Sequence, residues 1–208
     1  MSDLVVLVAD GTMRAVFSTF FERPRFHEAI GCSQFDFNPV TDIFNDVLHT
    51  DGGVHLRAQE LLRLYLRTHR YALVVLDGQF GGERPCNEIR DEIQARLDNN
   101  GWDGRSAVIV IDPELEVLLW QDNPNVERAL GHTGPDRLRR QLATNGDWPL
   151  ESPKPHQPKE LIQRVIRQNG VRTAFVAYTE IARTVTVRRC RDEAFLLLRD
   201  SLRAWFPA

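Results

Sequence analysis

The stretch "YALVVLDGQFGGERPCNEIRDEIQARLDNNGWDGRSAVIVID", residues 71–112, decides the fold. It opens on an apolar run, 71–77, and closes on another, 106–112; both are rich in branched residues and too short for helices. Between them Ile89, Ile93 and Leu97 recur at helical spacing within 86–101, and Asn100-Gly101 supplies a stop. Strands apolar on both faces, joined by an amphipathic helix, form a crossover between parallel neighbours.

The same device extends outward. "LVVLVA" (4–9) is a third continuous apolar strand, 12–23 has helical spacing, and "SQFDFN" (33–38) alternates like a strand. Residues 54–69 place Leu56, Leu61, Leu62, Tyr65 and Leu66 on one helical face. The order predicts an α/β fold: a mostly parallel sheet covered by helices on both faces. Beyond residue 113 the strand signal fades. Helical patterns follow at 113–121, 124–130, 135–144, 158–169, 177–185 and 192–205, with connectors such as "GDWPLESPKPHQPKE" between them. The expected division is an α/β core over 1–121 and a helical C-terminal extension over 122–208, packed on that core.

The 208 residues, 42% hydrophobic and 26% charged, suffice for a sizeable core. The N-terminal apolar run spans six residues and ends in Asp10, which is too short for a signal peptide or membrane span, so a cytoplasmic protein without membrane contact is expected. Cys32, Cys86 and Cys190 lie far apart without paired spacing and indicate neither a disulfide framework nor a zinc site. A net charge of −3 excludes a nucleic-acid binder held by its overall field. Arginine outnumbers lysine 24 to 2, and both lysines fall in "KPHQPK", 154–159.

In open parallel sheets ligands bind at the carboxyl ends of the strands. Three predicted strands end there in a carboxylate: Asp10, Asp77 and Asp112. Carboxylates brought together without basic partners resist ionisation, so such a cluster suits a divalent cation such as Mg²⁺, and phosphoryl transfer with it. Each residue also has a local explanation. Asp112-Pro113-Glu114 reads as a helix start, with Asp112 as cap and acidic side chains in the first turn, while Asp10-Gly11 and Asp77-Gly78 read as turns. Glu116 lies past the cap. The glycines of "DGQFGGERP" (77–85) let backbone approach a ligand, as phosphate-cradling loops do, or simply make a flexible loop. Lys159, after Pro158 at a helix start, and Lys154 are candidates for meeting phosphate. Arg183, Arg188, Arg189 and Arg191 either contact a nucleic-acid backbone or form a solvated face. His49 in "HTDGG" is the one histidine beside an Asp-Gly turn.

The succession "VVLVADGTM", "ALVVLDGQFGG", "VIVIDPELEVLLW", "KPHQPKE" and the closing "RCRDEAFLLLRDSLRAWFP" resembles the TOPRIM-like proteins, in particular the small TOPRIM-like component of methylation-associated phage-defence systems. TOPRIM domains carry an acidic residue, usually Glu, after the first strand and an Asp-x-Asp pair after a later one, which bind Mg²⁺. The resemblance puts Asp10 at the first position and Asp77-Gly78-Gln79 at the pair, so the second carboxylate is missing. Glu114 or Glu116 would then supply the absent anion; related proteins also have the acidic segment before a Leu/Trp-rich helix, which fits Glu116 pointing toward the site.

The resemblance implies a Mg²⁺- (or Mn²⁺-) dependent nuclease or related phosphodiester-processing protein acting on DNA among other defence-system proteins. Asp10, Asp77 and Glu116 would hold the metal, Asp112 and Glu114 would assist, and Lys159 would neutralise phosphate charge. Lys154, Arg188 and Arg189 would meet nucleic acid. Gln79 in place of an acid favours a catalytically degenerate structural or recognition subunit instead. A third reading is a nucleotide-binding regulator using the glycine loop 78–82.

Overall fold

A computed structural model describes residues 2–188 and 190–208. Four parallel strands, β1 (Ser2–Val8), β2 (Ile43–Asn45), β3 (His69–Asp77) and β4 (Ser106–Ile111), lie in the order β2-β1-β3-β4. Leu7 pairs with Val74 and Val75 with Ile109, so the two longest apolar runs lie side by side at the centre. Leu4–Val8 and Ala72–Leu76 are fully buried, as expected of parallel strands covered on both faces.

Four helices precede β4: α1 (Gly11–Phe21), α2 (Phe26–Ile30), α3 (Asp51–Leu62) and α4 (Cys86–Leu97); α1, α3 and α4 pack on the sheet. Six more follow β4: α5 (Glu116–Leu119), α6 (Pro124–Ala129), α7 (Leu138–Thr144), α8 (Pro158–Gln168), α9 (Ala174–Thr184) and α10 (Glu193–Trp205). α3 and α4 pack together over the sheet, α1 lies between β2 and α9, and α10 returns to β4 and α2. The helices start where side-chain oxygens take the free amides: Asp10, Thr50, Thr173 and Asp192 accept from Met13, Gly53, Val176 and Phe195. Buried side chains from both halves of the chain form one continuous core.

Two expectations give way. Residues 33–38 are not a strand: Phe35 and Phe37 alternate because they join a phenylalanine cluster, Phe35 stacking on Phe206 at 4.3 Å and Phe37 lying 4.9 Å from Phe21. The second strand is the three-residue β2 instead, set by Val6 pairing with Ile43. The helix expected over 113–121 shortens to α5. It begins at Glu116 after Leu115, without a side-chain cap and four residues past Asp112, so Asp112 caps no helix.

Candidate functional site

All four strands deliver a carboxylate to the carboxyl edge of the sheet, and the four have different fates. Asp46, directly after β2, is buried and ion-paired with Arg57. Asp112, after β4, is exposed and turns toward Cys86 and the start of α10, lining a separate cleft with Arg90 and Asp192. The sequence expectation that Asp112 assists the site therefore fails on position. Asp10 and Asp77 end the two central strands and remain together, the Asp10 charge reaching Asp77.

Three further groups close around them. Asp51, the first residue of α3, accepts the Asp77 amide at 2.7 Å. Glu114 and Glu116, each only 4% exposed, enter from the connection after β4. Glu114 accepts the Lys159 amide at 3.1 Å, and its other oxygen lies 3.7 Å from Lys159 Nζ. Tyr178 of α9 donates its hydroxyl to Glu116 Oε1 at 3.0 Å.

The electrostatics follow from five carboxyls facing one ammonium. Burial, then Asp51 and Glu116, pushes the Asp77 carboxyl up to about 8, against the opposing pull of Lys159. Burial also raises Asp51, opposed by the hydrogen bond from the Asp77 amide and reinforced by the charge of Asp10. Glu114 is raised by burial and by Glu116, with Lys159 opposing. Burial pulls Lys159 down, but Glu116, Glu114, Asp77 and Asp10 together hold it above its ordinary value. Burial and the adjoining Glu116 likewise keep the Tyr178 hydroxyl protonated well beyond its usual range. Asp77 Oδ1 is buried and has no hydrogen-bond partner.

Among the described residues no three His, Cys, Asp or Glu side chains gather where they could hold a metal ion. A cage built wholly of protein ligands is therefore not present. Mg²⁺ asks for less, since one or two carboxylates suffice when water and substrate phosphate complete its octahedron. The Asp77 oxygen is unpartnered, Asp51 bonds to the same residue's amide and the charge of Asp10 reaches it, so at most one or two of these carboxylates could meet such an ion. Asp10, Asp51 and Glu116 each have one oxygen engaged, by the Met13 amide, the Asp77 amide and Tyr178, whereas Glu114 has both oxygens against Lys159, one on its amide and one beside its ammonium.

The remaining candidates separate. Lys154 is not offered to nucleic acid: its ammonium turns inward and donates to the carbonyls of Val117 at 2.6 Å and Trp120 at 2.7 Å, closing the end of α5, and burial lowers its pKa. Arg188 is exposed on the connector between α9 and α10, Arg183 pairs with Glu180 at 3.8 Å, and Arg189 lies outside the described residues. His49 contacts Asn45 at 2.7 Å and contributes nothing to the acidic cluster. The glycine loop makes no phosphate cradle. The amides of Gly78 and Gln79 donate to the carbonyls of Ile111 and Pro113, and those of Gly81 and Gly82 to carbonyls inside the loop. Gly78 is required for packing instead, since a Cβ there would run into Cys86 Sγ.

Sequence reasoning missed Asp51, Asp46 and Tyr178. Asp51 carried a signal, because Thr50-Asp51 begins a helix at the ligand-binding edge with a cap and an acidic first turn. Tyr178 lies 62 residues from Glu116 and carried none. Comparison with protein-family models, curated proteins and solved structures finds no match.

Proposed function

We propose that the protein is a TOPRIM-like, Mg²⁺-dependent phosphodiester-processing protein that acts on DNA in the cytoplasm as part of a phage-defence system. The observation that carries this reading is the buried, unpartnered Asp77 Oδ1, set at a strand end among other carboxyls with one ammonium at the rim. An acceptor left without a donor costs stability in a structural role, and it is useful to an incoming cation.

Asp77 would hold Mg²⁺ with Asp51 or Asp10. Bound there, the ion would polarise a phosphate oxygen and supply a metal-activated water. The chain's own contribution is positional. Lys159, its side chain 47% exposed, is free to leave Glu114 for the phosphate. Tyr178 fixes Glu116, whose charge faces Asp77 and Lys159. Incubation of plasmid and single-stranded DNA with the protein and millimolar Mg²⁺ or Mn²⁺ tests the reading. Cleavage lost in Asp77→Asn and weakened in Lys159→Met is expected; intact DNA with the wild-type protein overturns it.

One pair of contacts supports the degenerate alternative. Lys159 already lies against Glu114, and Tyr178 already serves Glu116, so part of the acidic cluster is satisfied from within. A recognition subunit of a defence complex would keep this arrangement for stability alone. Phage resistance unchanged by simultaneous Asp10→Asn and Asp77→Asn would decide for it.

A further inference from the structure

The helical layer carries a polar groove that the acidic site does not use. Along α8, Gln157, Glu160, Arg164, Arg167 and Gln168 recur at three- and four-residue steps and form one exposed stripe, opposite the buried Leu161, Ile162, Val165 and Ile166. Gln141 of α7 and Asn145, the residue that follows it, face this stripe across a cleft of about 290 Å³, which also contacts Asp147 and Arg164. Clefts of about 350 and 390 Å³ continue it in both directions, one sharing His132, Gln141 and Asn145, the other sharing Asp147 and Arg164 and ending at His156 and Gln157. The apolar members of its lining, such as Leu138, Leu142 and Val165, are core residues 3–5% exposed, so they form a floor and offer no anchor pocket.

We propose that this groove binds a single strand of nucleic acid and leads it toward the acidic edge. Carboxamides present a donor and an acceptor side by side, which matches the edges of unpaired bases. Arg164 and Arg167 are planar forks suited to phosphate. Arg164 pairs with the half-buried Asp147, and Arg140 with Asp136 at 3.6 Å; the arginine end of each pair is solvent-exposed and can exchange its partner for a phosphate contact. His132, held by its Nε2 on the Asp136 carbonyl at 2.8 Å, and the exposed His156 offer ring faces for stacking. A duplex would hide the Watson–Crick edges that unpaired bases offer to the amides.

The direction comes from α8 itself. Its 11 residues span about 16 Å, long enough to lie along a short run of nucleotides. Its first turn carries both Glu160, at the end of the groove, and Lys159, which reaches Glu114 in the acidic cluster. Binding in the groove is independent of the phosphodiester reading; only delivery of the strand to Asp77 rests on it.

Fluorescence anisotropy of a labelled mixed-sequence single-stranded DNA, measured with EDTA present, tests the groove apart from any metal. The expected result is single-strand binding at least tenfold tighter than a duplex of equal length. The salt dependence should be shallow, a log–log slope of about −2 for about three phosphates. Arg164→Ala with Arg167→Ala should weaken binding at least tenfold, and Gln141→Ala with Asn145→Ala at least threefold. Thermal unfolding of each variant identifies loss of fold, and the two pairs lie in different segments, so one remains informative if the other unfolds. Absent single-strand binding, equal duplex binding, or binding untouched by either pair overturns the inference. Groove-dependent binding without DNA cleavage in Mg²⁺ would sink the nuclease reading and leave the groove standing.

Discussion

Replacing Asp77 by asparagine removes a carboxyl that the fold holds largely in its acid form at neutral pH. Its titration lies at about 8 in the native protein against an ordinary 3.8, so between those values the native state binds a proton that the unfolded chain has released. Stability contributed by this proton is complete below about pH 4 and is lost as pH rises through 8. At about 1.36 kcal/mol per pH unit the whole interval corresponds to about 6 kcal/mol. Lys159 and solvent at the rim offset part of the burden, and Asp51 and Glu114, also raised, retain their own share after substitution. We therefore expect Asp77→Asn to gain about 2 kcal/mol at pH 8 and little at pH 5. The assay is urea unfolding followed by circular dichroism at both pH values without divalent metal. Wild-type stability should fall from pH 5 to pH 8, and the substitution should flatten that fall. A wild-type protein as stable at pH 8 as at pH 5, or an asparagine variant that loses stability at pH 8, would refute the reasoning.

Other perturbations address single contacts. Lys154→Met leaves the carbonyls of Val117 and Trp120 without a donor and should cost about 3 kcal/mol in urea unfolding, while anisotropy with nucleic acid stays unchanged. Gly78→Ala drives a methyl into Cys86 Sγ and should cost about 2 kcal/mol; adding Cys86→Ala should restore most of it, and thermal melts of the pair check this. Tyr178→Phe strips the hydroxyl from buried Glu116 and should lower stability by about 2 kcal/mol, read as an earlier urea midpoint with an unchanged slope.

What was legible in the sequence follows from range. Helix and strand periods are local, so β1, β3, β4, α4 and α8 read directly, and Asp10 and Asp77 could be placed at strand ends without a structure. The false strand at 33–38 shows the limit of a short alternation. Phe35 and Phe37 are spaced by their contacts with Phe206 and Phe21, and a coil satisfies those as well as a strand does. Lys154 misled because a lysine on a proline-rich connector looks like a surface cation; only the tertiary fold brings the end of α5 to its ammonium. Glu116 was singled out as lying past a helix start at Asp112, but it is itself the first residue of α5, and its partner comes from α9. Asp51, which accepts the Asp77 amide, begins α3 after β2, a strand that the sequence placed several residues too early.

Isothermal titration calorimetry of the metal-free protein with Mg²⁺ and Mn²⁺ tests the central claim most directly, because it asks only whether the lone Asp77 oxygen belongs to a cation. Millimolar metal should bind the wild-type protein with measurable heat, more weakly after Asp51→Asn and undetectably after Asp77→Asn. No heat with the wild type, or equal heat with Asp77→Asn, would contradict the account and leave Lys159 as the cation that the acidic edge holds.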